Sequence, residues 1–84
     1  MNKLKLYTTI IGTSGQLLFY TQAYKIFITK SAHDLSLPGF AIALISMSNW
    51  LFYGFKIRDI PLMIANAIGV LGAIIVIAGI IFYG

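Results

Sequence analysis

A tryptophan and an asparagine are the residues of this 84-residue chain whose types and spacing best suit the binding of a polar solute. Trp50 lies six residues before Lys56, and Asn66 lies six residues after Ile60, on the two sides of a short charged turn. If both flanks are helices, each side chain lies at a depth of roughly 9 Å from the turn, at about 1.5 Å per residue. The spacing therefore predicts a ring and an amide at matched depth, which could form half of a binding site.

Each of these residues also has a second interpretation. Asn66 could join two helices, because a polar group without a hydrogen bond in hydrocarbon costs on the order of 2–7 kcal/mol. Trp50 could mark a membrane interface, where tryptophan is common. As a pair they suit an uncharged polar solute, since rings stack on apolar faces and amides bind hydroxyls. A cation or proton pathway would normally use carboxylates within the membrane, and the apolar stretches contain none.

The composition is that of a membrane protein. Hydrophobic residues make up 60% of the chain and charged residues 10%, against roughly 25% charged in soluble domains. Three stretches of at least 19 residues lack charge: 6–24, 35–55 and 60–84. About 20 apolar residues suffice to cross a bilayer. We predict an all-α membrane protein, a single domain over residues 1–84 with three transmembrane helices at about 6–28, 38–55 and 60–82.

Local signals predict where the helices begin and how they pack. Ser36 before Pro38 and Asp59 before Pro61 each combine an N-cap residue with a proline in the first turn. In the third span small residues recur every four positions, a pattern that lets membrane helices approach closely; they are Ala65, Gly69 and Ala73. Gly12 and Gly15 give the first span, the least hydrophobic of the three, room for close approach or bending.

Several function classes are excluded. The only histidine, His33, and the only acids, Asp34 and Asp59, are divided between two connections on opposite membrane faces, so no catalytic set or metal cluster can form. We therefore expect no enzyme, no cofactor and no metal, and His33 is interpreted as a solvated loop residue. The absence of cysteine excludes disulfides. A cleavable signal peptide and nucleic-acid binding are not expected, and the net charge of +4 suits anionic lipid headgroups.

Four short motifs in order along the chain resemble those of the bacterial SemiSWEET sugar transporters of the PQ-loop superfamily. They are Thr21-Gln22, Trp50-Leu51-Phe52-Tyr53-Gly54, Asp59-Ile60-Pro61 and Ala65-Asn66. The segments Lys30-Ser31 and Asp34-Leu35-Ser36 are similar to the first loop of that family. The resemblance implies a parallel homodimer of triple-helix bundles packed in the spatial order 1-3-2, which agrees with the fact that three helices alone cannot enclose a solute path. It also implies facilitative sugar transport by alternating access without ion coupling.

The resemblance assigns roles to individual residues. Trp50 and Asn66 would contact the sugar, and Phe40 would form an inner gate. Tyr53, Asp59 and Arg58 would form the outer gate. Thr21 and Gln22 would form the hinge motif of helix one, although Thr21 stands where the family has proline. Glycines or a threonine hydrogen bond to the preceding turn could replace that hinge. Ile57 stands where the gate arginine is expected, which leaves the partner of Asp59 open between Lys56 and Arg58.

Orientation is the point on which the resemblance and the charges disagree. The resemblance implies an integral protein of the bacterial cytoplasmic (inner) membrane with its N-terminus outside and its C-terminus in the cytoplasm. The positive-inside rule favours the opposite orientation. Four basic residues lie at the N-terminus and second turn (Lys3, Lys5, Lys56 and Arg58), against two at the first connection (Lys25 and Lys30). We follow the resemblance.

The residues alone leave other functions open. The chain could be a PQ-loop carrier of another small solute, such as an amino acid. It could also be a small structural or regulatory membrane protein, whose polar residues only join helices, or a pore-forming peptide.

Overall fold

The computed structural model describes residues 2–33 and 35–84 and contains three helices: α1 (Lys3–Thr29), α2 (Leu37–Ile57) and α3 (Ile60–Tyr83). Asp34, which belongs to the family-like first loop, lies outside the described residues. Each helix extends at one or both ends past the span predicted for it. The all-α, three-helix fold expected from the sequence is confirmed.

The helix starts follow the predicted capping chemistry. Ser36 is the N-cap of α2, and its Oγ accepts a hydrogen bond from the Gly39 N–H at 3.0 Å. Asp59 is the N-cap of α3, and its Oδ1 accepts from the Leu62 N–H at 3.2 Å. Prolines occupy the first turn of both helices, where the missing N–H costs nothing. The chain leaves α1 and α2 through left-handed residues, Lys30 and Arg58.

Helix α3 lies between the other two, which is the 1-3-2 order. It packs against both α1 and α2, whereas no Cα of α1 comes within 8 Å of a Cα of α2. The Cα trace extends over 42 × 21 × 13 Å. Its length matches the roughly 40–45 Å of a bilayer with its headgroups. Its smallest Cα extent of 13 Å exceeds the roughly 5 Å Cα diameter of one helix, so the three helix axes do not lie in one plane.

The register between α1 and α3 is fixed by close contacts at small residues. A methyl group added at Gly12 would contact Ala65, and one added at Gly79 would lie 2.8 Å from Ile26 Cγ2. Successive contacts advance in the same direction along both helices, so α1 and α3 run parallel. The contact pairs are Gly12 with Ala65, Gln16 with Gly69, Phe19 with Gly72, and Ile26 with Gly79.

Tyr20 makes a hydrogen bond from α1 to α3. Its hydroxyl donates to the Ile68 carbonyl at 2.8 Å. The ring lies over Gly72, where a Cβ would come within 2.9 Å of Tyr20 Cε2. The absence of a side chain at Gly72 is what lets the ring reach the α3 backbone. The tyrosine therefore joins the two helices by both packing and hydrogen bonding.

We expect Tyr20→Phe to lower the free energy of unfolding by about 1 kcal/mol, because it removes this hydrogen bond and keeps the ring. Thr13→Val is the matched control. Thr13 Oγ1 is buried without a hydrogen-bond partner, so its removal is expected not to lower stability. Thermal unfolding in detergent, followed by circular dichroism, measures both. Equal destabilisation by the two variants would show that the tyrosine hydrogen bond contributes nothing of its own.

Helix α1 hides hydroxyl groups against its own backbone. The hydroxyls of Thr9, Ser14, Thr21 and Thr29 each donate to the carbonyl four residues earlier, at 2.7–3.1 Å. By length and composition, α2 and α3 are apolar enough to cross a membrane. By the same measure of hydropathy, α1 is not. This agrees with the prediction that the first helix is the least hydrophobic.

Candidate solute-binding site

A groove runs between α1 and α2 with α3 as its floor; we call it the crease. At its middle Gly69 supplies the floor, and one side chain from each flanking helix lies on it. A Cβ at Gly69 would lie 2.6 Å from Met47 Sδ and 2.7 Å from Gln16 Oε1. The missing side chain therefore lets a residue of α1 and a residue of α2 meet above α3.

The register of α2 on α3 sets the level of Trp50 and Asn66. The two helices are antiparallel, with Gly54 against Leu62 near the turn and Met47 against Gly69 further along. Trp50 is three residues from Met47 towards the turn, and Asn66 is three residues from Gly69 in the same direction. Residues three apart are neighbours on a helix surface. The tryptophan and the asparagine therefore lie at one level of the bundle, as the matched depth predicted.

The aromatic part of the site is open. The Trp50 and Tyr53 rings contact each other edge to face, with centroids 5.9 Å apart and planes at 82°. Trp50 is 53% exposed and Tyr53 is 51% exposed. A half-exposed indole offers apolar surface on which a solute ring can stack.

Asn66 is half-buried and keeps hydrogen-bonding capacity. Its Nδ2 donates to the Leu62 carbonyl of its own helix at 2.8 Å. A residue that joins helices within one chain would instead bond to a facing helix. The carboxamide oxygen and the second N–H have no partner among the described residues, so the amide can both accept from and donate to a solute.

One end of the crease lies at the two-residue turn between α2 and α3; we call it the turn end. The Asp59 carboxylate caps α3 there, and Arg58 takes the left-handed conformation that ends α2. Lys56 lies over the Phe52 ring, with Nζ 5.4 Å from the centroid. These contacts cap or pack the ends of the helices. They do not pair Asp59 with either basic residue, so its partner in a gate could be Lys56 or Arg58.

The opposite end, next to the connection between α1 and α2, is packed shut; we call it the connection end. Phe40 of α2 meets Phe19 of α1 edge to face, with centroids 6.0 Å apart. Below this pair lies the buried apolar core of the chain, formed by Ala23, Ile26, Ala32, Val76 and Ile80. The Phe19–Phe40 contact therefore closes the crease near the connection end, whereas Trp50 and Tyr53 are half exposed nearer the turn end.

The hinge motif lies beside this closed end. Thr21 is exposed, and its hydroxyl donates to the Leu17 carbonyl at 3.1 Å within an unbroken α1. This is the threonine hydrogen bond proposed above as a substitute for the proline. Gln22 lines a cavity of about 240 Å³ that opens at the connection end, together with Lys25, Ile26, Thr29, Ser31, Ala32, His33 and Leu35. The described residues contain no group of three His, Cys, Asp or Glu side chains able to hold a metal ion.

Sequence reasoning missed the residues that close or floor the crease. Gln16, Phe19 and Met47 gain their positions from contacts between helices, which no local pattern reveals. Gly69 was predicted to be a site of close helix packing. That prediction is the one signal that could have led to Gln16 and Met47, because both side chains pack on this glycine. Gly15, by contrast, faces open space, with nothing within 4 Å of an added Cβ.

The chain is similar to known sugar transporters in sequence and in fold. Residues 9–84 match the family model described as "Sugar efflux transporter for intercellular exchange". Over 68 residues the chain is 33% identical to the sugar transporter SemiSWEET of Bradyrhizobium diazoefficiens, covering 81% of this chain and 79% of that protein. Over 75 residues it is 29% identical to the sugar transporter SWEET1 of Homo sapiens, covering 89% of this chain but 34% of the human protein.

A solved structure agrees over the whole fold. It is a crystal structure of a bacterial homologue of SWEET transporters, and it superposes with a TM-score of 0.92 at 36% sequence identity. The match covers 99% of this chain and 100% of that one. The similarity thus extends to the complete three-helix arrangement.

Proposed function

Because the chain belongs to the SemiSWEET/SWEET family of sugar transporters, we propose that it carries a neutral sugar across the membrane by facilitative transport in a homodimer. Membership of a transporter family also confirms that the chain is not an enzyme. The sugar would bind between two facing creases, with Trp50 and Asn66 of each chain in contact with it. The indole would stack on the sugar ring, and the amide would bind its hydroxyls.

The observation that carries this proposal is the crease itself, an open polar-aromatic groove in which the Trp50 and Tyr53 rings are about half exposed. A groove of this kind cannot enclose a solute, so a single chain supplies half of a path. Gly54 is the one described residue of α2 that is fully covered by its own chain, which leaves the rest of α2 to be covered by lipid or by a partner. A second copy in parallel orientation would place an identical crease opposite and complete the site.

Transport without ion coupling is supported by the position of the acids. Coupled carriers normally use carboxylates within the membrane. The chain has two acids in total, Asp34 and Asp59. Asp34 lies in the connection between α1 and α2, and Asp59 is the residue that caps α3 at its end. Among the described residues no carboxylate lies between the two ends of the crease, so we expect net flux to follow the sugar gradient.

The unequal ends of the crease support alternating access. Phe40 and Phe19 would form the inner gate, which is shut in this conformation. Tyr53, Asp59 and Arg58 would form the outer gate between the turn ends of the two chains. Exchange between the two conformations would require the Phe40–Phe19 contact to part while the turn ends of the two chains approach. The hinge would lie near Thr21 and Gln22, one turn from Phe19.

We further propose that all three helices cross the bacterial inner membrane, at about 6–28, 38–55 and 60–82. The parallel α1 and α3 and the antiparallel α2 bring the N-terminus and the turn end to one face. The connection end and the C-terminus share the other face, where the Ala32 N–H donates to the Tyr83 carbonyl. The N-terminal face would be outside, as in the family, although the lysine and arginine count favours the reverse.

Uptake into liposomes tests the function. We expect purified protein to admit labelled glucose, galactose or sucrose down a gradient, with no dependence on pH or sodium gradients. Unlabelled amino acids serve as competitors for the alternative substrate class, and ion conductance in planar bilayers detects a pore. Uptake of an amino acid but of no sugar would reassign the substrate. No flux of any solute would favour a structural or regulatory role.

A further inference from the structure

We propose that Gln16 of α1 is a further sugar-binding residue that selects for particular hydroxyls of the substrate, one for each of the two Gln16 side chains of the homodimer. This inference rests on the proposed transport function and extends the site from one level of the crease to two. Trp50 and Asn66 form the first level. Gln16 forms the second, one helical turn further from the turn end.

The position of Gln16 follows from two independent contacts on the same glycine. Its amide lies over Gly69, which is three residues from Asn66 on α3, or about 4.5 Å along the helix axis. Met47, which lies over the same glycine from the other side, is three residues from Trp50 on α2. A solute ring held between Trp50 and Asn66 therefore comes within one turn of the Gln16 amide.

The amide of Gln16 is free to bind. Among the described residues it has no hydrogen-bond partner. Its oxygen and nitrogen both remain accessible, since Thr13 Oγ1 is the one described side-chain polar atom that is both buried and without a partner. Exposed hydroxyls of the same helix differ in this respect, because those of Ser14 and Thr21 donate to backbone carbonyls of α1. Gln16 thus has unused donors and an unused acceptor where it lies over Gly69.

The surroundings make such an amide selective. Met47 and the Gly69 backbone exclude water from two sides, and the Phe19–Phe40 pair closes the crease below. When a site is built to hydrogen-bond a hydroxyl, it rejects an analogue that lacks that hydroxyl, since the polar group of the protein is then left unpaired. The two Gln16 amides of the homodimer would therefore impose a preference at one or two positions of the sugar ring.

The test compares wild type with Gln16→Met in liposome uptake of labelled D-glucose, with the series of monodeoxyglucoses as competitors. Methionine keeps the length and the packing on Gly69 and removes the amide. We expect the variant to raise the apparent KM for glucose about 5- to 10-fold with an unchanged maximal rate. Wild type should discriminate against several deoxy sugars, and the variant should lose discrimination at no more than two positions, one for each Gln16 of the homodimer, and keep it at the others. A purely structural role for Gln16 would not remove discrimination at some positions while leaving the others unchanged.

Ser14→Ala, on an exposed part of the same helix, serves as the control and should keep the wild-type deoxy profile. An unchanged profile in Gln16→Met would overturn the proposal, as would a wild-type protein that accepts every deoxy sugar as well as glucose. These failures leave glucose uptake by wild type intact. Absence of any sugar uptake by wild type would instead refute the transport function, and the role of Gln16 with it.

Discussion

Replacing Asn66 with leucine is expected to lower sugar uptake about 100-fold. In a homodimeric site the substitution removes two amides, one from each chain, and each lost hydrogen bond costs about 1.5 kcal/mol at the upper end of the usual range. Trp50→Ala is expected to have an effect of the same order, because it removes two stacking surfaces. Initial uptake rates of a labelled sugar into liposomes measure both, and crosslinking in the membrane reports whether the dimer persists.

The chain offers close controls for both variants. Asn49→Leu removes an exposed amide of α2 outside the proposed site, and Phe52→Ala removes an exposed ring of the same helix, which lies under Lys56. Both are expected to transport like wild type. Wild-type uptake by Asn66→Leu and Trp50→Ala together would refute the site assignment. Loss of the dimer in Asn66→Leu would instead support the interpretation that this amide joins helices, in this case between chains.

Gly72→Ala is expected to destabilise the fold by about 1–3 kcal/mol, the usual cost of overpacking a tight contact. The added methyl would lie 2.7 Å from Phe19 Cβ and 2.9 Å from Tyr20 Cε2. Phe19 Cβ is fixed to the backbone of α1 and cannot rotate away, so α1 must move off α3. The same movement would stretch the hydrogen bond from Tyr20 to Ile68. A lower midpoint of thermal unfolding in detergent is the expected observation.

Gly15→Ala makes the same chemical change on the facing helix, where nothing lies within 4 Å of the new methyl. In the single chain it is expected to be neutral or slightly stabilising, because alanine favours the helix more than glycine does. If Gly72→Ala unfolded at the same temperature as Gly15→Ala, the close packing of α1 on α3 described above would be wrong.

The helices and their order could be predicted because the relevant signals are local or belong to the family motifs. Ser36 with Pro38 and Asp59 with Pro61 fixed the starts of α2 and α3, since capping involves residues within one turn. The stripe of Ala65, Gly69 and Ala73 correctly indicated close helix approach. The spatial order 1-3-2 came from the motif resemblance alone, because hydrophobic periodicity does not specify which helices are neighbours.

The interior of the site could be predicted only in part. Matched depth for Trp50 and Asn66 followed from equal distances to a tight turn, which is again local geometry. The Phe19–Phe40 contact and the position of Gln16 depend on the axial register of α1 against α3. That register is set by contacts such as Ile26 on Gly79, which join residues far apart in the chain. Gly12 and Gly15 illustrate the limit, since both could have faced a neighbour and only Gly12 does.

The hydroxyl groups that α1 bonds to its own carbonyls change how its partitioning between water and lipid should be calculated. Hydropathy scales based on transfer to alkane assign each threonine or serine the full penalty of removing a free hydroxyl from water. Three of the bonded hydroxyls, those of Thr9, Ser14 and Thr21, lie within the proposed span 6–28 and would enter hydrocarbon with their donors already satisfied. A sum over residues therefore overstates the partition free energy of this helix by on the order of 1–3 kcal/mol for each bonded hydroxyl. The helix that composition marks as too polar for the bilayer is considerably more lipophilic once it is folded.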